Sequence, residues 1–374
     1  MANNNLADAK RAKNDEFYTQ YSDIEKEINA YLEYDPNIFR GKTVLLPCDD
    51  PEWSNFTKYF AQNFDRFGFK KLISTSYAVN SKQYKYGYQA TLFEINDPQY
   101  DENKTVINGK IFTLTTDRTH DGKIDIKDLE WHYLEGDGDF KSEEIKRLRD
   151  EADIIITNPP FSLFREFLAW IIEADKQFVI IGNMNAITYK EVFPLIKNDK
   201  MWLGNGFHAG NAYFSTPFAN EYAEGIYNPE TGLVKFRNVC WFTNLDHGRR
   251  HQPLPLMSMI DNLRFSKHKE IKGKESYDKY DNYDAIEVPF TDAIPSDYDG
   301  AMGVPISFLD KYSPEQFEIM GITDRDNNSG LKTREYTEED VTNPGDLNRR
   351  GVIRIGSEYK STYARLLIRR KPKK

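Results

Sequence analysis

The stretch Ile154-Ile155-Ile156-Thr157-Asn158-Pro159-Pro160-Phe161-Ser162 decides how this chain is read. An apolar run of strand length ends in Asn-Pro-Pro-aromatic, and a helical pattern begins at once with Ser162-Leu163-Phe164-Arg165. Strand-to-helix junctions are where open α/β sheets bind ligands. Asn158 offers a side-chain oxygen and Pro159 a carbonyl, two acceptors on a backbone that Pro159 and Pro160 make stiff. Phe161 offers a flat ring. A ring-conjugated amine such as N6 of adenine is a poor nucleophile, because its lone pair is delocalised. Gripping both N–H hydrogens with acceptors turns that lone pair toward an alkyl donor, while pre-aimed dipoles stabilise the developing charge. The same residues also fit a bland role, in which Pro-Pro ends a buried strand and Phe161 is core. Motifs of this kind also occur in enzymes that methylate RNA bases or a glutamine amide, so the motif specifies the chemistry better than the polymer.

Working outward, apolar runs recur at 43–48, 71–76, 131–134, 153–157 and 178–182, with helical patterns at 55–61 and 163–174. The runs are continuous rather than alternating, as in parallel strands covered on both faces. Strand–helix alternation of this type predicts an α/β fold with a doubly wound, mostly parallel sheet. Residues 80–127 break the rhythm. Runs at 89–95 and 110–115 flank Asn108-Gly109, a pattern that predicts an inserted hairpin. After the run 238–244 the composition turns to Pro, Gly, Asp and Tyr with weak periodicity. The expected organisation is a catalytic domain over 1–245 and a loop-rich recognition domain over 246–374. Within the latter, 324–348 is polar enough to predict a mobile loop.

With 374 residues, 39% hydrophobic, the chain can bury a substantial core, and no apolar run reaches membrane-spanning length. Cys48 and Cys240 are too few for a disulfide framework or zinc cluster, which fits a reducing cytoplasm. The six histidines are scattered, and His208, His247 and His251 read as surface or packing residues, so no metal site is expected. A net charge of −9 argues against a protein that coats nucleic acid nonspecifically. The charge is uneven, however. Basic residues cluster at 10–13 and 247–251, and the C-terminal segment interleaves Arg349, Arg350, Arg354, Arg365 and Arg369 with apolar residues, the pattern of a folded element facing an anion.

Longer strings carry a resemblance. They include Asp15-Glu16-Phe17-Tyr18-Thr19-Gln20-Tyr21, Cys48-Asp49-Asp50-Pro51, Gly136-Asp137-Gly138-Asp139-Phe140 and the extended motif through Glu166. Ile187-Thr188-Tyr189-Lys190-Glu191-Val192-Phe193, Lys279-Tyr280-Asp281-Asn282-Tyr283-Asp284-Ala285-Ile286 and Gly303-Val304-Pro305-Ile306 continue it. In these strings the chain resembles the EcoRI family of DNA adenine-N6 methyltransferases over most of its length. The resemblance implies S-adenosylmethionine as methyl donor and adenine in double-stranded DNA as acceptor.

It also implies roles. Asn158, Pro159, Pro160 and Phe161 form the catalytic motif. Phe17, Tyr18 and Thr19 pack over the donor's methionine portion, Asp49 and Asp50 beside Cys48 hold its amino group, and Asp137, Asp139 and Phe140 bracket its adenine. Two features depart from the wider methyltransferase pattern: the turn after the first strand lacks glycines, and 71–77 contains no acid for the donor's ribose. The target base must leave the helix to be reached. Candidates for DNA contact are Arg249, Arg250, Lys279, Asn282, Arg349, Arg350 and Arg354. Similarity in the second half hints at a target like GAATTC. A monomer is expected, with room for a cognate restriction endonuclease in the same system. The alternatives are a same-fold enzyme acting on RNA or a protein amide, and a catalytically silent DNA-binding relative.

Overall fold

The computed structural model describes residues 17–47, 49, 54–78, 97–207, 211–216, 222, 225–324 and 326–372. Cys48, Asp50, the 89–95 run, the basic cluster at 10–13 and His208 lie outside the described residues. Two units are distinguished: Met1–Asn183 with Leu203–His247, and Met184–Trp202 with Gly248–Lys374.

The first unit is built on an eight-stranded sheet. Its parallel centre comprises β2 (Thr43–Leu46), β3 (Lys71–Ser76), β6 (Ile154–Thr157) and β7 (Gln177–Asn183), in the spatial order β3-β2-β6-β7. The chain passes from β2 outward to β3, then returns to the other side of β2 with β6 and continues to β7. Winding direction therefore reverses between β2 and β6, and the carboxyl ends of these two strands border a crevice. The runs are apolar throughout because both faces are covered. Val44, Leu46, Ile154, Ile156 and Trp241 join a core with helices Tyr21–Tyr34 and Asn55–Gln62. Leu45, Ile155, Phe178, Ile180 and Phe242 are fully buried on the opposite face, where helix Phe164–Glu173 begins with the Phe164 ring 5.2 Å from that of Phe242.

The edges differ from expectation. β4 (Lys110–Leu114) is a member of the main sheet, antiparallel to both β3 and β5 (Glu130–Tyr133). Asn108 is not a hairpin corner but the C-cap of helix Glu102–Ile107. The hairpin expectation paired 110–115 with the nearer apolar run, whereas its partners come from strands on either side in sequence. At the other edge β12 (Val239–Thr243) runs antiparallel to β7, followed by β8 (Trp202–Leu203). A smaller antiparallel sheet has the order β1-β9-β11-β10, with β1 (Tyr18–Thr19), β9 (Asn211–Ser215), β10 (Tyr227–Asn228) and β11 (Leu233–Arg237).

The second unit contains a four-stranded sheet of order β13-β14-β18-β15, made of β13 (Ile286–Glu287), β14 (Met302–Pro305), β15 (Phe317–Ile322) and β18 (Arg365–Arg370). A separate two-stranded ribbon joins β16 (Val352–Ile355) to β17 (Glu358–Ser361). The polar segment before it is tied down rather than left loose. Asn348 and Tyr336 exchange hydrogen bonds of 2.8 and 2.9 Å, and Arg334 pairs with Asp281 and Asp340. Polarity predicted mobility there because composition does not show that polar side chains bond one another, here across 6 and 12 positions, and Asp281 across 53. No described helix is long and apolar enough to cross a membrane.

Candidate active site

β6 delivers the Asn-Pro-Pro-Phe motif to the crevice. Thr157, its last residue, is fully buried, and its hydroxyl contacts Pro47 O at 2.8 Å and Asp49 Oδ2 at 2.6 Å. Ser54 donates to Asp49 Oδ1 at 2.7 Å, and the Asp49 carbonyl accepts from Thr57 at 2.9 Å and from Ser74. Hydroxyls from two strands, β3 and β6, and from one helix with its N-cap thus converge on a single residue. Each carboxylate oxygen of Asp49 accepts a hydroxyl, so the residue ties the end of β6 to the start of helix Asn55–Gln62. These hydroxyls were not singled out by sequence, since Ser and Thr at strand ends carry no distinctive signal.

Asn158 comes next. Its Nδ2 donates to the Phe17 carbonyl at 2.6 Å, while its Oδ1 is buried with no partner among the described residues. A buried acceptor left unmade costs about 1–3 kcal/mol, so such an atom marks a place where a donor arrives. The hydroxyl of Thr19 is a second buried polar atom without a partner among the described residues. The Thr19 carbonyl accepts from Asn55 at 2.8 Å, and β1 is held by pairing of Tyr18 with Ser215 and of Thr19 with Phe214. Phe161 lies against Phe17, with centroids 5.7 Å apart and planes inclined by 26°, and Phe214 meets both rings.

The Gly136–Phe140 loop is strapped to the carboxyl end of β3. Ala78 N donates to Asp137 O at 2.8 Å, and Gly138, at φ 90°, lies so close that a Cβ would collide with the Ser76 carbonyl. Only glycine satisfies both conditions. Asp137 and Asp139 are half-buried, and each accepts a backbone N–H two residues on, at 3.1 and 2.9 Å. Phe140 is 1% exposed, between Phe167 at 5.1 Å and Trp170 at 5.7 Å, with the Lys141 ammonium 5.6 Å from its ring centre. The expectation that Phe140 stacks on a ligand is corrected: its ring has no open face. No group of metal-binding side chains occurs among the described residues.

The family described as adenine-specific methyltransferase EcoRI matches residues 5–371. The chain belongs to this family. It is 44% identical to the type II methyltransferase M.EcoRI of Escherichia coli, over 86% of this chain and 91% of that one. It is 33% identical to the type II methyltransferase M.MpnI of Mycoplasma pneumoniae, over 83% of each. No solved structure matches. As a member of the EcoRI methyltransferase family, the chain is a site-specific DNA adenine methyltransferase.

The second unit sorts the remaining candidates. Arg250 is 7% exposed, paired with Asp199 and stacked 4.0 Å over the Trp202 ring. Asn282 is fully buried: its Oδ1 accepts from Val352 N at 2.9 Å and its Nδ2 donates to Arg350 O at 2.8 Å. Both were expected to face DNA, and both are corrected to structural ties because each side chain is buried and bonded to partners inside the unit. Arg249 lies half-buried in the turn Gly248–His251. Lys279, Arg349 and Arg354 are exposed and Arg350 is half-buried.

Proposed function

We propose that this enzyme transfers a methyl group from S-adenosylmethionine to N6 of an adenine rotated out of duplex DNA, on a doubly wound, Rossmann-like sheet. The observation that carries the reading is the divided state of the Asn158 amide, with the nitrogen anchored and the oxygen buried and without a partner among the described residues. An N6 hydrogen satisfies that oxygen, and the Pro159 carbonyl takes the other. With both hydrogens held, the lone pair turns out of conjugation toward the donor. Alignment and water exclusion then supply most of the rate gain, without a strong base.

The donor brings a sulfonium-activated methyl group. Thr19, whose buried hydroxyl has no partner among the described residues, and the half-buried Asp137 and Asp139 are the residues that fit its polar portions. Stacking of the adenine on Phe161 requires only the Phe17 ring to rotate off that face, while the Phe17 carbonyl keeps its bond to the Asn158 nitrogen. Unstacking the target costs roughly a few kcal/mol. The family likeness in the second half supports a site related to GAATTC. The test is transfer of labelled methyl groups to duplex DNA and to RNA, followed by sequencing of modified bases in cells expressing the chain. Label on N6-methyladenine in duplex DNA at one sequence is expected; label on RNA or protein alone would overturn the reading.

A further inference from the structure

We propose that the β16–β17 ribbon enters the DNA major groove and reads base edges with Ile355, Glu358 and Lys360. This rests on the assignment of duplex DNA as substrate. The ribbon pairs with no larger sheet, and its two-residue loop has Gly356 at φ 60°, as the first central residue of a type II′ turn requires. A two-stranded ribbon has the dimensions that a major groove admits.

The ribbon's base is fixed and its tip is bare. Val352 and Ile353 are buried, Tyr280 bridges to Ile353, and the Asn282 amide clamps Arg350 and Val352. Beneath it the Tyr280 hydroxyl and Arg365 both bond Glu287, and burial beside Glu287 pushes the Tyr280 phenol well above its ordinary value. From Arg354 to Glu358 every residue is exposed.

The two faces differ. Arg354 and Tyr359 are opposite partners, and the Tyr359 ring packs 5.5 Å from Tyr336, which turns that face toward the protein. The other face carries the opposed pairs Ile355 with Glu358 and Ile353 with Lys360. Ile355 is 59% exposed there, an apolar side chain with no covering neighbour.

Charge selects the occupant. Arg349, Arg350, Arg354, Lys360 and Lys279 form no ion pair among the described residues, whereas the neighbouring Lys332, Arg334 and Arg365 are all paired with acids. The antiparallel bridge from Tyr280 to Ile353 sets Lys279 opposite Arg354 in register. Cations without an ion-pair partner among the described residues thus run from the ribbon's root toward its bare tip, an arrangement suited to phosphates flanking a groove. Within the groove a lysine ammonium suits guanine O6 and N7, a carboxylate suits cytosine N4, and an apolar side chain suits the thymine methyl.

The experiment uses the full chain and the site that modified-base sequencing reports for the wild type. Duplexes carrying each single base-pair change in that site are methylated by Lys360→Ala, Glu358→Gln, Ile355→Ala and Arg354→Ala. The first three should each relax discrimination at one position by about 10-fold or more. Arg354→Ala should weaken all duplexes alike and lower the slope of log affinity against log salt by about 1. Unchanged melting temperature and unchanged binding of S-adenosylhomocysteine show that the variants are folded. Wild-type discrimination retained by all three tip variants, or equal loss on every duplex, overturns the ribbon's reading role. A wild type that labels no duplex DNA would instead overturn the substrate assignment.

Discussion

The Asn158 amide nitrogen donates to the carbonyl of Phe17 at 2.6 Å, across 141 positions of sequence. That bond fixes the orientation of the amide. Asn158→Ala removes the acceptor proposed to take the substrate amine while leaving the polar residues proposed for the donor intact. The expected outcome is a fall in single-turnover transfer of about 100- to 1,000-fold, as for loss of one pre-aimed dipole in other enzymes. Duplex binding by gel shift and donor binding by calorimetry should remain within a few-fold. Full activity in this variant would exclude the role.

Thr157→Val tests the tie between strand ends. Valine matches threonine in shape but withdraws the hydroxyl that meets Asp49 Oδ2 and Pro47 O. A hydrogen bond to a charged group contributes about 1.5–3 kcal/mol, and that is the expected loss in urea unfolding. Because β6 also carries the motif, transfer should slow even where the variant is fully folded. A variant with wild-type stability would show that Asp49 needs no help from β6.

Much of this was legible in the sequence, and the exceptions share a cause. The parallel centre could be read because burial on both faces gives each strand a continuous rather than alternating apolar run, a local property. The junction at Asn158 could be read because two consecutive prolines end a strand wherever they occur. Exposure could not. Asn282 and Arg250 have the chemistry of DNA contacts, yet Asn282 meets partners 68 and 70 positions away and Arg250 meets Asp199 across 51. Phe140 was expected to stack on the donor because the resemblance implies it, but the helix that covers its ring begins more than 20 residues on. β4 was misread for the same reason, since strand pairing is decided by partners that no short window contains.

The buried Asn282 yields a separate expectation. Asn282→Ala leaves the N–H of Val352 and the carbonyl of Arg350 without partners at the root of the ribbon. At about 1–3 kcal/mol per orphaned group, stability should fall by roughly 2–6 kcal/mol. Proteolysis should cut the variant first between Arg349 and Lys360. If Asn282 were a base reader instead, the variant would melt with the wild type and lose discrimination at one adenine.

Asp128 gives the pH dependence. Its carboxylate accepts the backbone N–H groups of Asp125 at 3.0 Å, Thr119 at 2.8 Å and Arg118 at 2.9 Å, which hold it down to about 2. The folded value lies below the unfolded one, near 3.9, so the ionised form favours folding. That contribution is complete above the unfolded value and disappears as pH falls through the folded value. Asp128→Asn sets an amide N–H2 among these donors, and at neutral pH it should lose about 1–3 kcal/mol. The gap between wild type and variant in urea unfolding should hold from about pH 7 to 5, then narrow steadily toward pH 3. A gap that stays constant to the lowest accessible pH would mean that the loop 117–128 is held by something other than the Asp128 charge.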